Sequence, residues 1–273
     1  MSTCIYCGKD GKVTKEHILP SFIYEYQRSI SHDKAVGWQE KAKKITGGEA
    51  TIKDTCSDCN NVTLSQLDGY AKNLLKCSGF FTECFLKEQV KINYNYNLLS
   101  RWLLKVAFNS SRASGKQLTF FEKYTDIILG ENTKLSGFVI FAGLLKPVKL
   151  THQEIEKYSY FLKNSSSGYV NPFFGRISHL ELGISEFAVK QIVIGAAIFH
   201  IISFKDNLIR ERQRVLIKEY LRVFQGMTLI RNNKSKIKVI QTPITFIDSL
   251  EDQMQRPEVK PYLMKLSKDL LIN

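Results

Sequence analysis

A mixed α+β fold is predicted by three observations along the 273 residues. Residues 1 to about 68 are rich in turns and cysteine, apolar residues then recur at helical intervals to about Arg112, and from Leu135 onward β-branched and aromatic runs take over. With 44% hydrophobic and 24% charged residues and only 6 Pro, the chain is neither disordered nor collagen-like and can build a core. Its length suits one large domain or two modest ones. The change in texture divides it into an N-terminal module, 1–75, and a helical and mixed α/β basic domain, 76–273.

Taken in order, the stretch from Ser29 to Asp54 reads as a long loop around the Gly47-Gly48 turn signal. Leu64, Leu67, Tyr70 and Leu74, then Leu98, Trp102, Leu103 and Val106, are spaced for helices. Gly137 to Ala142, Tyr169 to Ile177 and Gln191 to Phe204 read as strands of one sheet, and Asn207 to Phe224 as a basic helix. Cys77 and Cys84, seven apart, read as buried core thiols, and His200 as a satisfied core histidine on one strand face. His179 and Arg176 are weak ligand candidates, and His32 belongs to a solvated loop.

No run reaches the roughly 18 apolar residues that span a bilayer. The nearest, Ile192 to Phe204, is 13 residues long and contains His200. The polar start MSTCIYCGKDGKVTKEH has no apolar signal region, so the expectation is a cytoplasmic chain with no membrane partner. In that reducing compartment six cysteines are ligands, nucleophiles or core fillers before they are disulfides.

The net charge of +13 lies toward the back of the chain: residues 76–273 hold 29 basic against 17 acidic residues. Such an excess favours polyanions. Within it Arg210, Arg212, Arg214, Lys218 and Arg222 follow a helix whose Leu208, Val215, Leu216, Tyr220 and Phe224 face inward, which makes them candidates for backbone phosphates.

The chemistry is concentrated at the front. Cys4-Ile-Tyr-Cys7 and Cys56-Ser-Asp-Cys59 are two C-x-x-C knuckles, and such turns bring paired sulfurs onto one tetrahedral Zn²⁺. A lone C-x-x-C also suits redox chemistry, but two copies without a strand-to-helix context favour structural zinc. Between the knuckles lies Thr14-Lys-Glu-His-Ile-Leu-Pro20, and Asn60-Asn61 follows the second. On an extended segment, adjacent Glu16 and His17 point to opposite faces unless the strand ends there.

The pattern C-x-x-C, then Glu-His-Ile-x-Pro, then C-x-x-C-Asn resembles the zinc-knuckle branch of the HNH, or His-Me finger, ββα-metal endonucleases, over about residues 4–68. The resemblance implies a zinc-stabilised ββα module that hydrolyses phosphodiester bonds of DNA, with RNA not excluded. It implies an antiviral defence setting beside a separate sensor or ATPase protein. His17 falls at the general base, and an imidazole pKa near 6.5 suits that task. Glu16 and Asn60 fall at the ligands of a catalytic Mg²⁺ or Mn²⁺. Thr51 stands where the family carries an asparagine that braces the base, and Asn61 and Asp68 are the polar residues available for the last helical position. The alternative is a non-catalytic zinc-knuckle protein that binds nucleic acid or acts as an adaptor, for which Thr51 is the main support.

Overall fold

The computed structural model describes residues 2–30, 36–39, 44–82, 84–158, 168–169, 175–180, 182 and 184–249. In chain order the first elements are β1 (Ser2–Thr3), β2 (Asp10–Gly11), β3 (Val13–His17), α1 (Ser21–Ile30), β4 (Val36–Gln39), β5 (Lys44–Gly47) and β6 (Thr51–Cys56). A π-helical stretch, Cys59–Leu64, runs on into α2 (Ser65–Cys77). Then come β7 (Gln89–Asn93), α3 (Tyr96–Ser114), α4 (Leu118–Phe121), α5 (Thr125–Leu129), β8 (Phe138–Lys146) and α6 (His152–Tyr158). The last are β9 (Gly175–Leu180), β10 (Phe187–Ile194), β11 (Ala197–Phe204), α7 (Arg210–Val223), β12 (Thr228–Leu229) and β13 (Lys236–Thr245). The fold is mixed α+β. The stretch expected as a loop, Ser29 to Asp54, holds the β4–β5 hairpin; His32 and 170–174 lie outside the described residues.

Seven strands make one sheet in the order β7-β13-β8-β11-β10-β9, with β12 also on β8. All its pairs are antiparallel except β13 with β8. Central β10 and β11 are buried at every position, because both faces are covered. Ile192, Phe199 and Ile201 face α3 in one apolar cluster, while Val193, Ile198 and Ile202 face Leu216 and Tyr220 of α7 in another. The first cluster continues without a break into Cys4, Phe22, Ile23 and Leu67, so the cysteine-bearing segment packs on the face opposite α7. Gly175 makes part of this contact: a Cβ there would lie 2.5 Å from Ile23 Cγ2, so only glycine lets α1 approach β9 this closely.

α3 carries the centre of the molecule. Asn95 caps it by accepting from the Leu98 N–H at 3.1 Å, and Gly115 ends it at φ 76 with its N–H on the Ser111 carbonyl. Trp102, Leu103 and Val106 are fully buried at the predicted helical spacing. Cys77 and Cys84 do not share a helix. Cys77 is exposed at the last turn of α2 and Cys84 is half-buried beyond it, because the helix stops before the seven-residue spacing can bring them to one face.

His200 is the core histidine that its alternation predicts. Its ring is fully buried and hydrogen-bonded to Gln191 Oε1 at 2.9 Å and to the Tyr220 hydroxyl at 2.5 Å. With the amide oxygen accepting, Nε2 carries the proton and Tyr220 donates to Nδ1. Burial pulls its pKa down to about 3. The unfolded chain therefore takes up a proton that the folded chain refuses. This contribution to stability is whole above about pH 6.5 and is lost as the pH falls toward 3. The slope of melting temperature against pH over that window should flatten in His200→Gln; an unchanged slope would place the acid sensitivity elsewhere.

Candidate active site

The cysteine cluster is built from three short pieces. Cys4 and Cys7 sit in the turn between β1 and β2, Cys56 ends β6, and Cys59 opens the π-helical stretch. Their four sulfurs lie within 4.8 Å of one another. The Cys7 and Cys56 sulfurs are 3.8 Å apart, and a tetrahedral ion with bonds of about 2.3 Å holds sulfurs about 3.8 Å apart. The Cys56 N–H points at Cys4 Sγ at 3.3 Å and the Cys59 N–H at Cys56 Sγ at 3.5 Å. Burial would raise the Cys4 thiol, but the backbone N–H groups of Cys56, Cys7 and Tyr6 bring it down to about 7. Burial and the neighbouring thiols push Cys59 far up. Four cysteine sulfurs so close together make a donor set that fits a metal ion such as zinc.

His17 ends β3 and stands on the side of the hairpin away from the core. Its carbonyl accepts from Asn109 Nδ2 at 2.8 Å, and the next residue, Ile18, donates to the Ala50 carbonyl at 2.9 Å. The strand end is thus held from both sides. Its Nε2 is hydrogen-bonded to Glu49 Oε2, and Arg28 Nη1 donates to Glu49 Oε1 at 2.6 Å. The side chains of His17, Glu49 and Arg28 are 30%, 24% and 34% exposed. Burial alone would raise the Glu49 carboxyl, but the hydrogen bonds and charges of Arg28 and His17 outweigh it and hold the group below its ordinary range. An ionised carboxylate only accepts, so Nε2 bears the proton and Nδ1 is the basic nitrogen. Neither Glu49 nor Arg28 carries a sequence signal: Glu49 follows a Gly-Gly turn and Arg28 ends an amphipathic helix.

Glu16 is turned the other way, as strand alternation requires. It is 3% exposed, 2.8 Å from Lys105 Nζ, and accepts from Asn109 Nδ2 at 3.0 Å. Asp68, on α2, reaches the same ammonium at 2.7 Å. Burial would lower the Lys105 pKa; the Asp68 and Glu16 carboxylates outweigh it and raise it, so the ammonium is charged. Asn60 donates through Nδ2 to Thr14 Oγ1 and to the Lys15 carbonyl, both at 2.9 Å, and so fastens the helix to β3. Asn61 is exposed and donates to Ser57 Oγ at 2.9 Å. Thr51 lies opposite His17 in the hairpin register, while the imidazole's hydrogen bond goes to Glu49.

Glu16 and Asn60, the cation ligands expected from the sequence, each have partners within the chain. Strand alternation sets the Glu16 carboxylate on a lysine on the face opposite the His17 imidazole, and the Asn60 amide donates through Nδ2 to backbone and hydroxyl acceptors, whereas a cation would take its Oδ1. Among the described residues, the four cysteines are the one group of three or more Cys, His, Asp or Glu arranged to hold an ion.

The basic helix lies across the sheet from His17. Arg210, Arg214, Lys218 and Arg222 are exposed and four residues apart, a continuous ridge along α7. Arg212 leaves that ridge: its Nε and Nη2 bind Glu186 at 2.8 and 2.5 Å. Its guanidinium is paired with a carboxylate of the same chain. Among the described residues, no helix is long and apolar enough to cross a membrane. The chain matches no family model, no curated protein and no solved structure.

Proposed function

We propose that the chain is a phosphodiester hydrolase of the HNH type acting on nucleic acid, with DNA as substrate and His17 as general base. The carrying observation is the partly exposed His17 imidazole, its tautomer set by an ionised Glu49 that Arg28 holds in place. In this scheme Nδ1 takes a proton from water, the water oxygen attacks phosphorus, the bond to the sugar oxygen breaks, that oxygen takes a proton from a solvent water, and the imidazolium later returns its proton to solvent. The Arg28 guanidinium offers planar donors and a fixed charge to the phosphate. The resemblance also implies a catalytic Mg²⁺ or Mn²⁺, which Asn60 would hold through Oδ1 and which Glu16 would join only by leaving Lys105; the ion would supply positive charge to the phosphate.

A second reading, a non-catalytic zinc-knuckle nucleic-acid-binding protein, is favoured by the lysine that neutralises Glu16 and Asp68. Supercoiled plasmid incubated with the zinc-loaded chain separates the two. Nicked or linear product from wild type, absent with His17→Ala, supports the hydrolase. Plasmid retained but uncut by both supports the second reading.

The α7 ridge is the proposed site of non-specific DNA binding. Like charges four residues apart on a helix cost a few tenths of a kcal/mol per pair, so the ridge gains nothing internally from its spacing. Replacing Arg214, Lys218 and Arg222 with Gln should flatten the plot of log K against log salt by about 0.9 for each lost phosphate contact. Arg212→Gln should leave the slope alone, since that guanidinium already has its carboxylate. Equal slopes in wild type and the triple variant would remove α7 from the interface.

A further inference from the structure

Three elements converge on one buried ammonium. Lys105 of α3, 1% exposed, directs Nζ between Glu16 of β3 at 2.8 Å and Asp68 of α2 at 2.7 Å. Two of its three N–H donors are thereby used on carboxylates. A pair of carboxylates from two elements, one of them 3% exposed, is the kind of oxygen donor set that a hard divalent cation takes. Here a positive charge already lies between them, carried by the chain itself.

We propose that Lys105 is a built-in counter-cation: its ammonium occupies the place a divalent ion would take between Glu16 and Asp68, and it closes that pair to Mg²⁺ and Mn²⁺. The competition is unequal. Lys105 is tethered in place by its helix, so its effective concentration exceeds that of any free ion at millimolar level. A divalent ion would also have to leave the ammonium uncompensated inside the core, which buried charges do not tolerate. Lys105 is in addition a positioning residue, because the Glu16 it holds is the neighbour of His17 on β3. Its bearing on catalysis rests on the hydrolase reading above; the ion exclusion does not. If both hold, the positive charge offered to a phosphate on the His17 side is that of Arg28.

The test is a titration of the zinc-loaded chain with Mn²⁺, with free ion followed by its electron paramagnetic resonance signal. Wild type and Asp68→Asn should give superimposable isotherms. Lys105→Met keeps the stem and deletes the charge; it should gain about one Mn²⁺ site per chain, and its melting temperature should rise with Mn²⁺ while that of wild type does not. The gained site should vanish in Lys105→Met combined with Asp68→Asn. A wild-type Mn²⁺ site abolished by Asp68→Asn would overturn the proposal, as would a folded Lys105→Met chain that gains no site. Should Lys105→Met fail to fold, the comparison of wild type with Asp68→Asn decides alone, because the Lys105–Glu16 pair survives in both. Absence of cleavage by every variant would count against the hydrolase reading and leave these isotherms untouched.

Discussion

His17→Ala should lower plasmid cleavage by about 10²-fold or more, the usual share of a general base, while zinc content, melting behaviour and plasmid binding stay as in wild type. The side chain is 30% exposed and belongs to neither apolar cluster, so its loss removes a proton acceptor and opens no cavity. Glu49→Gln is the informative companion. The amide can turn its N–H toward Nε2 and reverse the tautomer, which moves the basic nitrogen away from the water. We expect kcat to fall through the tautomer, and any accompanying change in KM to report the Arg28 guanidinium, which loses its carboxylate partner in the same variant. Glu49 also adds stability of its own. Its lowered carboxyl contributes fully above the unfolded glutamate pKa of about 4.3, and the contribution is lost as the pH falls through the lower folded value. Full activity in His17→Ala would move the base elsewhere and leave Glu49 a structural partner of Arg28.

Cys56→Ser should have the largest effect on stability. It leaves three sulfurs where four lie within reach of one ion, and it removes the sulfur that accepts the Cys59 N–H. Binding free energy at a structural zinc site is of order 10 kcal/mol and counts as folding energy where the local core is thin. The segments it joins are thin: β1 and β2 have two residues each and β3 has five. The expected result is loss of bound zinc and proteolysis of the chain before Cys59, with the seven-stranded sheet intact. The segment's other anchors include the α3 contacts, Tyr6 to Asn109, Lys105 to Glu16 and Arg112 to Asp54, and the packing of Phe22 and Ile23 in the core. Wild-type protein that purifies without metal would defeat this prediction, and the cysteines would then be ordinary core thiols.

Much of the architecture was legible in residue order. The two helices after the second knuckle, the core strand β8, the basic helix and the buried His200 follow from short-range apolar spacing, a property each segment carries by itself, whereas the run Gln191 to Phe204, read as one stretch, turns at Gly195-Ala196 and pairs with itself as the β10–β11 hairpin. The four-cysteine cluster was legible for a related reason: paired spacing of a rare residue survives any rearrangement of the chain between the pairs. Less visible were β7 and β13, whose Lys-rich alternation gains meaning only when they pair with each other across the sheet.

The site divides along the same line. Sequence alone pointed to a meeting of the cysteines, and left open whether Glu16 and His17 face apart, since alternation holds only while the strand continues and β3 ends at His17. Only the tertiary structure decided which neighbours those side chains find. Lys105, Asn109 and Arg112 are spaced i, i+4 and i+7 on α3 and are buried to 7% exposure or less. They bind Glu16 and Asp68, the His17 carbonyl, and Asp54 respectively. A polar stripe of that spacing usually means a solvated helix face. Here it becomes the clamp on the hairpin, because α3 is covered by the sheet on one side and by the cysteine-bearing segment on the other. Glu49 and Arg28 are likewise ordinary residues until the turn after β5 and the end of α1 are brought to the same imidazole. Such contacts depend on closing loops tens of residues long, and no local pattern records them.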